Sequence, residues 1–152
     1  MHTPAPVRQF IREVLGCECP DHVFESLAAE HRSQPSPRAP YQWRLVVGER
    51  LLIYLLALDS SLTAEPWLEH LREYGSRDRV DSGLNRFRAV VVLDDAAPAL
   101  EQPQGAVAAW ASHPHLHLHW VSRRDAADCV AALAGGQHHG LEADPNRSPD
   151  PL

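Results

Sequence analysis

Residues 51–58 read Leu-Leu-Ile-Tyr-Leu-Leu-Ala-Leu, with no charged or amide side chain among them. Such a run is the length of a strand and far short of the ~20 residues that span a bilayer as a helix. It is apolar on both faces, so it belongs in the middle of a covered sheet and not at a wet edge. Just before it, Trp43, Leu45 and Val47 alternate with Gln42, Arg44 and Val46. That is the pattern of a half-buried strand, and Gly48-Glu49 can turn it into the apolar run as a hairpin. Two more stretches have strand character: residues 88–93, Arg-Ala-Val-Val-Val-Leu, and residues 115–121, where histidines alternate with apolar residues.

Helical periodicity fills the intervals. Thr63 or Ala64 opens a helix with Trp67, Leu68, Leu71 and Tyr74 inward and Gly75 as its stop, leaving residues 76–86 as a polar loop. Pro98 and Pro103 leave room only for a short helix near 104–112. Ser122-Arg-Arg-Asp125 fits a capping box. It starts a last helix using Ala126, Cys129, Val130 and Leu133, which Gly135-Gly136 ends. At the other terminus, Val7, Phe10, Ile11, Val14 and Leu15 follow the i, i+3, i+4, i+7, i+8 spacing of an amphipathic helix, stopped by Gly16. Cys19 as N-cap and Pro20 as first residue would open a second helix carrying Val23, Phe24, Leu27 and Ala28 and ending near His31. The expected organisation is a flexible arm (1–6), one α/β domain (7–135) and a disordered tail (136–152). Within the domain come a helical pair (7–32), a proline-rich linker (33–40) and a β-β-α-β-α-β-α unit (41–135). Its sheet should be mostly parallel and three- to four-stranded, with flanking helices, an antiparallel edge hairpin and the two N-terminal helices as a cap.

Charge and composition exclude several chemistries. The chain has 152 residues, one ordinary domain, and a formal charge of −6, which argues against non-specific nucleic-acid binding. All 14 basic residues are arginine. Without lysine there is no Walker-A phosphate lysine and no Schiff-base or pyridoxal anchor. No Gly-x-Gly-x-x-Gly follows a strand, and there is no Gly-x-Ser-x-Gly elbow or His-Glu-x-x-His. The start, Met-His-Thr-Pro-Ala-Pro, lacks the regions of a signal peptide, so a cytoplasmic location without membrane attachment is expected. Three cysteines, Cys17, Cys19 and Cys129, do not make a secreted disulfide framework, and reduced thiols are the expectation.

Three places could carry chemistry. His115, His117 and His119 alternate on a strand and share one face, where imidazoles at i and i+2 can chelate Zn or Cu. His117-Leu-His119-Trp120 is similar to the zinc-ligand strand of the α-carbonic anhydrases. That likeness covers four residues, and the order of helices and strands does not fit that antiparallel fold. Cys17 and Cys19 are possible further ligands, or a thiol pair whose helix-capping cysteine has a lowered pKa. The string Phe10-Ile-Arg-Glu-Val-Leu-Gly-Cys-Glu-Cys-Pro-Asp-His-Val-Phe24 resembles the opening of a group of small prokaryotic proteins with the pattern Gly-Cys-x-Cys-Pro-x-x-Val-Phe. The resemblance brings no activity with it. Asp59, Ser61 and Thr63 form an Asp-x-Ser-x-Thr string that resembles the metal-ion-dependent adhesion motif of von Willebrand A domains, a hard-cation site. Arg77, Arg79, Arg86 and Arg88 could grip a phosphate or carboxylate, but Asp78 and Asp81 lie among them, and a solvated mixed-charge loop is the plainer reading.

Two functions follow from the sequence. One is a non-catalytic accessory domain that docks on a protein partner and holds no cofactor, suggested by the missing catalytic signatures. The other is a Zn/Cu-binding or thiol redox protein using the histidine strand and the Cys-x-Cys turn.

Overall fold

A computed structural model describes residues 2–58, 64–94 and 104–137. They form one five-stranded mixed sheet in the order β1-β2-β3-β4-β5, with helices on both faces. The strands are β1 (Leu27–His31), β2 (Trp43–Val47), β3 (Leu51–Leu58), β4 (Arg86–Leu93) and β5 (Leu116–Ser122). The first three are antiparallel neighbours, and β3, β4 and β5 run parallel. The helices are α1 (Ala5–Gln9), continued by a π-helical turn (Phe10–Val14), then α2 (Ala64–Asp81), α3 (Gln104–Ala111) and α4 (Arg123–Gln137). None of the helices among the described residues is long and apolar enough to cross a membrane.

The apolar run is the central strand. Seven of the eight β3 residues are buried, the exception being Ala57. Leu51, Ile53 and Leu55 join Val90, Val92 and Val121 under α1, its π turn and α4. Leu52, Tyr54, Leu56 and Leu58 join Phe87, Ala89 and Val91 under α2 and α3, through Leu68, Leu71 and Trp110. Each fully buried leucine contributes roughly 1.5–3 kcal/mol relative to exposure, so β3 ties two cores together. The β2–β3 turn is the expected one. Gly48 and Glu49 both have positive φ, 61° and 57°, the signature of the tight turns that match strand twist.

The sheet is mixed and larger than expected because residues 20–31 do not form a helix. Asp21–Glu25 makes one 3₁₀ turn and Leu27–His31 then extends as β1. Its register, Leu27↔Val47 to His31↔Trp43, covers the edge of β2 and satisfies backbone groups that a helix would leave open. Gly48 locks the arrangement. Its N–H donates to the Ser26 carbonyl at 3.0 Å, and a Cβ there would lie 2.4 Å from the Val23 carbonyl oxygen. Thr3, in the stretch expected as a loose arm, is buried and donates its N–H to the Phe24 carbonyl at 3.0 Å. The expected tail from 138 on lies outside the described residues.

Two helix stops also differ. α4 runs through Gly135-Gly136 to Gln137, although it opens as expected, with Ser122 Oγ accepting the Asp125 N–H at 3.0 Å. α2 runs through Gly75 to Asp81, so residues 76–81 are helix and not loop. Asp78 consequently faces β2. It accepts from Arg44 Nε and Nη2, both at 2.8 Å, and from the Tyr54 hydroxyl. Gly75 serves packing: a Cβ would sit 2.0 Å from the buried Phe87 ring. Gly83, with φ of 68°, provides the actual stop.

Gly75→Ala should therefore lose about 1–2 kcal/mol in denaturant unfolding. Overpacking costs about 1–3 kcal/mol and is offset by up to about 1 kcal/mol of helix propensity. Gly135→Ala, where a Cβ meets nothing within 4 Å, should gain a few tenths. Equal midpoints for the two variants would contradict the close Gly75–Phe87 contact.

Candidate functional site

The connection from α1 to β1 carries Cys17 and Cys19. The π turn closes with the Leu15 N–H donating to the Phe10 carbonyl at 3.1 Å, and the Cys17 N–H reaches the Ile11 carbonyl at 3.1 Å. Gly16, with φ of 72°, makes the left-handed step that ends the helix, as its sequence position suggested. Beyond it the chain folds back so that the Cα atoms of Cys17 and Cys19 lie 5.4 Å apart, and the two cysteines form a disulfide. This corrects the expectation of reduced thiols: the turn holds the pair within bridging distance. Cys129 alone is free, buried under the sheet, and burial pushes its thiol up to about 12. Cys19 is also not an N-cap, since Pro20 holds that position without a side-chain hydrogen bond. Arg12 braces the turn. It donates to the Cys19 carbonyl at 3.0 Å, pairs with Asp21, and lies 4.9 Å over the Phe24 ring.

The disulfide forms part of the wall of a cavity of about 280 Å³. Cys17, Glu18, Cys19, Pro20 and Val23 line one side, and Arg50, Leu51, Asn85, Arg86 and Arg88 the other. The second set is the amino ends of β3 and β4. Asp59, Ser61 and Thr63, the hard-cation candidates, fall outside the described residues.

Arg86 and Arg88 lie on alternate positions of β4, beside the histidines of β5, with Arg88 paired in register to His117. Arg88 donates to the Leu15 carbonyl at 3.2 Å and to His119 Nε2 at 2.9 Å. Its Nε is buried with no hydrogen-bond partner. Arg86 donates to the Pro114 carbonyl at 2.9 Å and meets His117 Nε2 at 3.2 Å. An imidazole that accepts from a guanidinium must be neutral at that nitrogen. Burial first, then Arg88 and His117, pushes His119 down to about 4. Burial, then Arg88, Arg86 and His115, lowers His117 in the same direction. The side chain of Arg50 is exposed and forms no hydrogen bond or ion pair among the described residues.

The structure thus brings Cys17 and Cys19 together but does not bring them with the histidines into a ligand set. No group of three or more His, Cys, Asp or Glu side chains among the described residues could hold a metal ion. The Nε2 atoms of His117 and His119 are each met by a guanidinium, from Arg86 and Arg88. His115 is exposed and turned to His113, whose Nδ1 accepts its backbone N–H at 3.2 Å. The arginine group read from the sequence also divides. Arg77 pairs with Glu73, and Arg79 donates to the Leu84 and Asn85 carbonyls. Arg86 and Arg88 join Arg50, which sequence reasoning missed. The signal available was alternation: Arg86-Phe-Arg88 on one parallel strand matches His117-Leu-His119 on the next.

Compared with known proteins, the chain matches no family, no curated protein and no solved structure.

A neutral His119 makes stability depend on pH. Its folded pKa lies below the unfolded value of 6.5, so the unfolded chain binds the proton first. The contribution is fully present above pH 6.5 and is lost as pH falls towards 4; for a ring this exposed to screening it is on the order of 1 kcal/mol. Urea unfolding at pH 7 and pH 4.5 should show this loss. The loss should shrink by more than half in His119→Gln, whose side chain can still accept from Arg88. An identical pH slope in that variant would remove His119 as its source.

Proposed function

We propose that this chain is a small thiol–disulfide redox protein, with Cys17 and Cys19 as its two-electron couple. The observation that carries the reading is that the disulfide and the arginines Arg50, Arg86 and Arg88 line the same cavity. Thiolate is the reactive form of cysteine, and nearby cations favour it. A thiolate from outside attacks one sulfur, the Cys17–Cys19 bond breaks, and the other sulfur leaves as a thiolate facing positive charge. A second thiolate then attacks the outer sulfur of this mixed disulfide and releases the remaining cysteine, so that two thiols become one disulfide and the cysteine pair takes up two electrons. Cys129, buried and with its pKa raised, stands apart from this exchange. A protein partner suits this reading as well as it suits the accessory-domain reading, because exposed exchange chemistry needs a thiol or disulfide to meet.

Alkylation of the reduced protein across pH, followed by mass, tests it. The reactive thiol of the pair should titrate about one to two units below the ordinary cysteine value of ~8.5, and Arg86→Gln should move it back upward. A midpoint at or above the ordinary value would overturn the reading. So would a disulfide that thiol reagents leave intact in the folded protein.

A further inference from the structure

The cavity has a charge preference as well as a sulfur pair. The ion pairs among the described residues use Arg12, Arg44, Arg72 and Arg77. Arg50, Arg86 and Arg88 appear in none of them, although the whole chain carries a net charge of −6. The partners that Arg86 and Arg88 do have are carbonyls and imidazoles, which leave their charge uncompensated. Glu18 is the single carboxylate in the wall, so the lining stays positive. Charges held at a partly covered surface without counter-charge favour an anion from solution. A volume of about 280 Å³ is near the lower end of the roughly 300–1,000 Å³ typical of small-molecule sites. It suits a metabolite-sized ligand better than a folded partner's surface.

Resting on the redox reading above, we infer that the thiol exchanging with Cys17–Cys19 is a small carboxylate-bearing thiol. Its carboxylate is held by Arg50, Arg86 and Arg88 while its sulfur meets the disulfide. The first molecule forms a mixed disulfide and releases one cysteine as a thiolate. The second attacks the substrate sulfur of that mixed disulfide, giving the oxidised small disulfide and the reduced cysteine pair. Two electrons pass to the protein, and both protons of the thiols are released to water or retained on the cysteines.

The test is reduction of the oxidised full-length protein by mercaptoacetate, 2-mercaptoethanol and cysteamine at equal thiolate concentration, with quenched aliquots alkylated and counted by mass. The quantity read is the mercaptoacetate-to-cysteamine rate ratio, because the ratio within each variant cancels general effects on the disulfide. Arg50→Gln removes an exposed side chain without hydrogen bonds and keeps the fold. It should lower the ratio about tenfold, since one charge attracts the anionic thiol and repels the cationic one. Arg88→Gln should lower it as well, and so should 1 M NaCl, where screening acts within about 3 Å. A ratio unchanged in Arg50→Gln and in high salt would overturn the carboxylate-thiol inference and leave the redox reading standing. Failure of all three thiols to reduce the disulfide would overturn both.

Discussion

The double burial of β3 is the constraint from which the rest of the architecture follows. A strand apolar on both faces needs cover on both, so α1 with its π turn and α4 must occupy one side and α2 with α3 the other. It also needs hydrogen-bonded neighbours along both edges. β2 supplies one by a tight turn, antiparallel; β4 supplies the other after a helical crossover, parallel. This change of direction at β3 sets the amino ends of β3 and β4 side by side. The connection that bears the disulfide crosses over those ends and closes a cavity against them. The site is therefore a product of the sheet's order: only Arg50 and Leu51 of its residues come from the start of the apolar run, and Arg86 and Arg88 reach it by pairing beside that run.

Arginine inside such a layout has a cost that the molecule meets unevenly. Arg44 has full compensation, with two hydrogen bonds to Asp78 and a third to Glu30. Arg88 has a carbonyl and a neutral imidazole, and a buried Nε with no partner. The two arrangements lie on opposite faces of one sheet: the first closes a structural network, and the second lies in the lining of the cavity that Cys17 and Cys19 also line. Keeping His119 neutral is what allows the second, because a charged ring beside Arg88 would push it out of position.

Much of the framework was legible from periodicity. The buried run, the Gly48-Glu49 turn, the strands near 88–93 and 115–121, and the Ser122 cap all reappear, because each depends on local pattern or on local turn geometry. What sequence reasoning placed wrongly depends on partners distant in the chain. Leu27 and Ala28 fit a helix stripe as well as a strand, and only the open edge of β2 decides between them. Gly75 looks like a stop until Phe87 packs on it. Asp78 looks solvated until α2 turns it toward Arg44, thirty-four positions away. At the site, the cysteines and the histidine strand were both visible as chemistry. Their separation was not, since strand register, which sets Arg88 opposite His117, has no signature in a single strand. Arg50 carried no signal at all, because a turn arginine before an apolar run looks like any solvated charge.

The lysine-free composition gives the cavity a selectivity of another kind. Guanidinium groups grip an oxyanion but do not form imines and do not take up acyl groups at neutral pH. Aldehydes, keto acids and activated esters that enter by virtue of their charge will not be captured by its cations, whereas an ammonium-lined pocket would trap them. Within the wall, the Cys17–Cys19 pair, once reduced, is the one soft nucleophile. Covalent capture in this cavity therefore falls to sulfur, on Cys17 or Cys19, and to none of the cations around it.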